Sequence, residues 1–232
     1  MSIRHIKKIS EPPQIDIIIP AAGLGKRMKS HGPKPLIPIH RSSIIERQLK
    51  SIKKYLPTAN IILVAGFDAV KLMNHTPDYL VKIENERFET TNVVRSIGMG
   101  LRACSHDVMI MYGDLVFNDL ALQTINLNRS SLLVGPTIMG DKEVGCIVTK
   151  DKVENLMYDL PNKWGQISFF KGRELKLLKE ICWTPHNFNM FGFEAINQII
   201  NNGGKFTSCS DPGVTILDID TNKDLEKALT LV

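Results

Sequence analysis

The sequence predicts an α/β protein, a three-layer sandwich around one mainly parallel sheet. Three observations carry this. Short runs of Ile, Val and Leu alternate with amphipathic helical patterns. Several of these runs are continuous rather than alternating, as strands buried on both faces of a parallel sheet require. The 232 residues suit one sizeable α/β domain, and 43% hydrophobic and 23% charged residues are ordinary for a globular chain.

Residues 1–14 read as a short leader ending at Pro12-Pro13. It is positively charged but has no apolar core, so it is not a secretory signal. A single domain is expected over 15–232. Candidate strands fall at 16–19, 61–64, 79–83, 108–111, 132–134, 145–149 and 215–219. Between them, 43–55 places Ile44, Ile45, Leu49 and Ile52 on one helical side and lysines on the other, and 92–103 does the same with Val93, Ile97 and Leu101. A helix over 193–201 stops at Gly203-Gly204, and the last one starts at Thr221 with Asp224 three residues on. Residues 151–185 are less regular and are expected to form a lid or β-rich insertion.

Composition excludes several classes. No run approaches the ~18 apolar residues of a membrane helix, so no membrane partner is expected. The net charge of +5 is spread along the chain rather than striped, and aromatics are only 6%, which argues against a nucleic-acid partner. Cys104, Cys146, Cys182 and Cys209 are scattered with no CxxC pair. That speaks against a zinc site or disulfide framework and fits a reducing cytoplasm.

The most informative stretch is IDIIIPAAGLGKRM, residues 15–28. In open α/β sheets ligands sit beyond the carboxyl ends of strands, and the first strand ends at Pro20. Ala21, Ala22, Gly23 and Gly25 let a ligand approach the backbone, whose free N–H groups suit phosphate or base edges. Lys26 and Arg27 add cations. A P-loop fails here, because its first Gly and its Ser/Thr correspond to Pro20 and Arg27. A Rossmann fingerprint fails at Met28, where its third Gly belongs.

PAAGLGKRM followed by GPKPLIPI resembles the paired signature of the sugar-phosphate and choline-phosphate nucleotidyltransferases, and the resemblance extends over most of 15–232. It implies the nucleotide-diphospho-sugar transferase (GT-A-like) fold and transfer of a nucleoside monophosphate to a phosphorylated or phosphonylated small molecule, with release of pyrophosphate. It implies that Arg27 meets the β- and γ-phosphates, and that Lys34 meets the α-phosphate and the incoming phosphate. An anion must approach an anionic triphosphate, so fixed cations are needed to cancel repulsion.

Such chemistry uses Mg²⁺ held by one or two carboxylates. Asp114, in VMIMYGDLVF, follows a strand and a glycine, where the family carries its first metal-binding Asp. In TILDIDTNKDLEKAL, Asp218 and Asp220 point the same way along a strand. The resemblance gives Asp220 to the metal, Asp218 a lesser or water-mediated role, and Asp224 a capping role. Asn92 and Ser96, with Arg95, fall where the family contacts base or ribose. Lys171, Glu180 and Asn187 fall in its acceptor-side segments. Trp164, Trp183, Phe169 and Phe188 are candidates for an aromatic cage around a cationic acceptor. CTP is the preferred nucleotide, because the later motifs look nearest to cytidylyltransferases. The partners expected are therefore an NTP and a phosphorylated acceptor, and the chain is expected to be a monomer or homodimer. The alternatives are a GT-A glycosyltransferase, which usually carries a D-x-D motif where this chain has a single Asp, and a non-catalytic nucleotide-binding protein.

Overall fold

The computed structural model describes residues 14–25, 32–135 and 143–231. Strand β1 (Ile15–Ala21) leads through a 3-10 turn at Lys34–Leu36 and a small hairpin of β2 (Pro38–Ile39) and β3 (Ser42–Ser43) into α1 (Ile44–Tyr55). Next come β4 (Asn60–Ala65), α2 (Ala69–Asn74), β5 (Val81–Glu84), α3 (Val93–Leu101), β6 (Asp107–Met111), β7 (Leu115–Phe117) and α4 (Leu120–Thr124). Then follow β8 (Ser131–Val134), β9 (Val144–Thr149), β10 (Lys152–Tyr158), β11 (Asn162–Phe170), α5 (Gly172–Trp183) and α6 (Gly192–Asn201). The chain closes with β12 (Phe206–Cys209), β13 (Ile216–Asp218) and α7 (Asn222–Leu231).

Among the described residues, nine strands form one sheet in the order β5-β4-β1-β6-β11-β8-β12-β10-β9. The pairings β5–β4, β4–β1, β1–β6 and β8–β12 are parallel, and those of β10 and β11 are antiparallel. Seven of the nine therefore share one direction and only β10 and β11 oppose it. The mainly parallel sheet expected from the apolar runs is found. In the 151–185 stretch, expected as a lid or insertion, β10 and β11 join this sheet, with β11 central between β6 and β8, and α5 follows.

Strand β1 shows why the sandwich forms. Its Ile15, Ile17 and Ile19 pack with Ile45, Leu49 and Ile52 of α1 on one face, while Ile18 packs with Val94, Ile97 and Leu101 of α3 on the other. The Ile17–Ile19 run, apolar at every position, thus feeds both outer layers. Helix α1 begins with a capping box: Ser43 N–H donates to Glu46 Oε2 (2.6 Å) and Glu46 N–H to Ser43 Oγ (3.4 Å). The exception in β1 is Asp16, only 1% exposed at the strand's amino end. It accepts from Asn60 Nδ2 (2.8 Å) and from the N–H groups of Ser105 and His106 (2.7 Å each). Burial alone would raise this carboxyl, but these hydrogen bonds outweigh it and hold it below its usual range. Asp16 is a latch at the end of the sheet away from the glycine loop.

The strand expected at 215–219 forms as β13, but outside the large sheet. It pairs with β7 in a two-stranded ribbon, Ile216 opposite Phe117 and Asp218 opposite Leu115. At the rim Asp218 lines the larger cleft rather than the core. Among the described residues no helix is long and apolar enough to cross a membrane.

Candidate active site

The carboxyl ends of β1 and β6 lie side by side, and the chain leaves each through small residues. Gly113 N–H donates to Pro20 O (3.2 Å), and a Cβ on Gly113 would stand 3.0 Å from Ala21 Cβ. That close approach sets Asp114 beside the glycine loop. Gly25 has φ +52°, and a Cβ there would meet Lys34 Cγ at 3.2 Å, so the glycine both takes the left-handed turn and leaves room for the lysine stem. Lys26 and Arg27 lie outside the described residues.

Lys34 is the centre of the arrangement. Its Nζ lies 2.9 Å from Asp114 Oδ2 and 2.6 Å from Asp220 Oδ1. Three segments far apart in sequence converge on one ammonium. The C-terminal segment arrives because Ile219 N–H donates to Asp114 O (3.0 Å), extending the β13–β7 pairing by one step. Burial by itself would lower the Lys34 pKa, but the two carboxylates outweigh it and raise it above the ordinary lysine value. For Asp114 burial dominates, and its carboxyl is raised despite Lys34, with Asp218 and Asp220 adding repulsion.

Asp218 is held differently. Its Oδ1 accepts from Lys163 Nζ at 2.9 Å, and the same ammonium donates to Glu143 Oε1 at 2.7 Å. Lys163 is only 5% exposed. Burial would lower its pKa, but Asp218 and Glu143 reverse the direction and raise it. The two same-face carboxylates of 218–220 thus serve two lysines, Asp220 the first and Asp218 the second. Asp224 accepts from Thr221 N–H (2.8 Å) at the start of α7, the cap expected of it.

Two connected cavities flank this centre. A small one, of about 190 Å³, is lined by Ala21, Ala22, Gly23, Gly25, Lys34, Asn85, Asn92, Ser96 and Asp114, among others. Ser96 is buried and accepts from Asn85 Nδ2 (3.2 Å), while Asn92 Oδ1 caps α3 through Val93 N–H (2.8 Å). Arg95 is not in its lining and lies 4.4 Å over the Phe188 ring. A larger cleft of about 1410 Å³ shares Lys34, Asn92, Tyr112 and Asp114 with the first and adds Tyr158, Trp164, Phe191, Phe193, Asp218 and Asp220.

The acceptor-side residues expected at Lys171, Glu180 and Asn187 are not brought to either cavity. Lys171 pairs with Asp107 at the opposite edge of the sheet, Glu180 is on α5, and Asn187 Nδ2 donates to Ile181 O (3.0 Å). The reason is the direction of β11. Running against β6, it sets Phe170 beside Val108 at the far edge and leaves 162–166 at the site. Among the four aromatic candidates only Trp164 lines the larger cleft; Phe169 is core, Phe188 stacks under Arg95, and Trp183 Nε1 donates to Gly98 O (3.2 Å).

Sequence reasoning missed Lys163, Asn85 and Gln48. Gln48 is 1% exposed, and its Nε2 donates to Tyr112 O (3.0 Å) and Leu115 O (2.8 Å), clamping the Gly113–Asp114 turn from both sides. The signal was available, since Gln48 is a lone polar residue one turn from Ile44 and from Ile52 on the apolar face of α1. Gln48→Leu is expected to cost about 1–3 kcal/mol in chemical denaturation, because two buried carbonyls lose their donor. It should also lower kcat about tenfold or more through a misplaced Asp114, read as pyrophosphate release.

A glycine loop and a Lys–Asp–Asp centre thus lie together at the carboxyl edge of a mainly parallel sheet. Residues 17–131 match the model of the MobA-like NTP transferase domain. The chain is 29% identical over 127 residues to the bifunctional protein GlmU of Pseudomonas savastanoi pv. phaseolicola, covering 54% of this chain but only 27% of that relative's length. Among solved structures, CTP:phosphocholine cytidylyltransferase from Streptococcus pneumoniae superposes with a TM-score of 0.80 at 16% identity, over 94% of this chain and 99% of that one. The inositol-1-phosphate CTP transferase from T. maritima gives 0.74 at 16% identity, over 93% and 94%. The shared fold is the nucleotide-diphospho-sugar transferase fold.

Proposed function

We propose that the protein transfers CMP from CTP to a phosphorylated small molecule that carries a cationic head, releasing pyrophosphate. The observation that carries this is the convergence of Asp114 and Asp220 on Lys34 beside the loop Ala21–Gly25. CTP is favoured by the likeness to two CTP enzymes, a likeness of fold. The triphosphate occupies the smaller cavity, against Ala21–Gly25. An oxygen of the acceptor's phosphate attacks the α-phosphorus in line, the new P–O bond forms, and the bond to the pyrophosphate oxygen breaks. A phosphate monoester needs no covalent enzyme intermediate, so catalysis is positioning plus charge stabilisation.

Lys34 supplies a point charge between α-phosphate and incoming phosphate, while buried Lys163 holds Asp218 and Glu143, both of which line the larger cleft. The donor set fits Mg²⁺, because two hard carboxylates already converge on one cation and Mg²⁺ takes one or two carboxylates plus phosphate oxygens. Asp114 and Asp220 would hold it, and when bound it would neutralise charge developing on the leaving pyrophosphate. The cationic head is argued from the larger cleft. Tyr158 and Phe191 line it while 42% and 47% exposed, Phe193 joins them at centroid distances of 5.4 and 5.9 Å, and Asp159 adjoins. Exposed rings beside a carboxylate suit an ammonium better than sugar hydroxyls. The reducing cytoplasm is the compartment this reading implies.

The test is pyrophosphate release by the purified full chain with Mg²⁺, each NTP, and phosphocholine, phosphoethanolamine or glucose 1-phosphate. Release with CTP and an amine-bearing acceptor is expected. Hydrolysis of a nucleotide sugar without such release would make the protein a glycosyltransferase instead.

A further inference from the structure

The larger cleft holds a backbone irregularity that the nucleotide machinery does not use. Strand β11 pairs with β8 at Trp164–Val134 and again at Ser168–Leu132, so four residues of β11 advance against two of β8. Inside this bulge Gln166 has φ +55°. Among the described residues, the other non-glycine residues with positive φ (His40, Asp68, Lys150, Asp151 and Asp159) lie in turns or at a helix start; Gln166 alone lies within a strand, at the middle of the sheet. A left-handed glutamine is disfavoured by contact of its Cβ with the following carbonyl, and a glycine would avoid that strain.

The bulge is pinned, and it aims a free amide. Trp164 Nε1 donates to Ser168 Oγ (3.1 Å) across it, and the Trp164 ring stands edge-on to Tyr112 at 5.8 Å. Gln166 is half-buried, lines the cleft with Tyr158, Trp164 and Phe193, and has no hydrogen-bond partner among the described residues. Bulges beside active sites re-aim side chains, and retained strain marks positions where function outweighs comfort.

We propose that Gln166 is a specificity-determining residue whose amide hydrogen-bonds the acceptor's head. Acceptors whose ammonium carries N–H donors are then favoured over quaternary heads, which carry none. This rests on the transferase reading and narrows its acceptor class to amines that carry at least one N–H, excluding quaternary heads. A site built to bond a polar hydrogen discriminates strongly against an analogue that lacks it.

The experiment compares the wild-type full chain with Gln166→Leu and Gln166→Gly. It measures binding of phosphoethanolamine and phosphocholine by calorimetry, pyrophosphate release with CTP, and thermal melting. The wild type is expected to prefer phosphoethanolamine by about tenfold or more in kcat/KM. Gln166→Leu should raise the KM for phosphoethanolamine about tenfold, leaving the KM for CTP and for phosphocholine within about threefold. Gln166→Gly should lose the same preference while its Tm rises by about 2–4 °C, since glycine relieves the left-handed strain. A purely structural bulge would not separate the two acceptors, so equal changes for both, or none, would overturn the proposal. Wild-type binding of phosphoethanolamine without pyrophosphate release would overturn the transferase reading and leave the head-group role standing. Equal use of both acceptors by the wild type would overturn the role of Gln166 alone, and binding of neither would overturn both.

Discussion

Lys34→Met is expected to lower kcat for pyrophosphate release by about 10³-fold, the upper range for removing one preorganised donor from a developing charge. The KM for CTP should rise far less, because the glycine loop and the Asn85–Ser96 wall still hold the nucleotide. The protein should stay folded. Asp220 keeps 34% of its side-chain surface in solvent, while Asp114, at 25%, loses the cation that offsets its burial, so Tm should fall without the fold being lost. The sign of the pH effect follows from the raised Lys34 pKa. A group whose pKa is raised on folding stabilises below its ordinary value and loses that contribution as pH rises through the folded one. Any loss of Tm in Lys34→Met is therefore present at neutral pH and fades only in strong alkali. Lys34→Arg should not restore turnover. The Lys34 stem lies against Gly25 and delivers one point charge between two carboxylates, a geometry that a longer planar fork does not reproduce. Near wild-type turnover in Lys34→Met would remove Lys34 from the mechanism.

The glycine loop and Asp114 are legible because each follows a strand, where an apolar run changes to glycine and charge, whereas Lys34, in a 3-10 turn, and Asp220 are reached through the resemblance of GPKPLIPI and DIDTNKD to the family's motifs. Lys34 meeting both carboxylates could not be read, since it depends on β13 pairing with β7 across about a hundred intervening residues. The acceptor side was harder for a specific reason. Strand β11 carries Trp164 and Gln166 to the cleft at its start and Lys171 away at its end. The resemblance points to Lys171, Glu180 and Asn187, but because β11 runs against β6 it is the start of the strand, not its end, that reaches the cleft. Strand direction is set by crossover topology, which a single sequence does not print. The Lys163–Asp218–Glu143 group was hidden for the same reason. Gln48 was hidden differently, because a polar residue on an apolar helical face signals a buried partner without saying which.

Asp114→Asn is expected to lower kcat by about 10²–10³-fold while raising Tm, a pairing that separates a functional carboxylate from a structural one. Burial lifts the Asp114 carboxyl above its usual range, and Lys34 only partly offsets that. A carboxyl whose pKa is raised on folding stabilises below its unfolded value and costs stability once ionised, so at neutral pH the wild type carries a penalty that the neutral amide removes. The shape is kept, since an amide oxygen at the same place still accepts from Lys34 Nζ and the Gln48 clamp acts on carbonyls that the substitution does not touch. In the metal-free protein the Asp114 carboxyl should accordingly take up its proton above the ordinary carboxylate range. Binding of Mn²⁺ as a paramagnetic probe in the presence of CTP should weaken in Asp114→Asn by about tenfold or more, independently of turnover. A lower Tm with unchanged Mn²⁺ binding would make Asp114 a structural partner of Lys34 and no more.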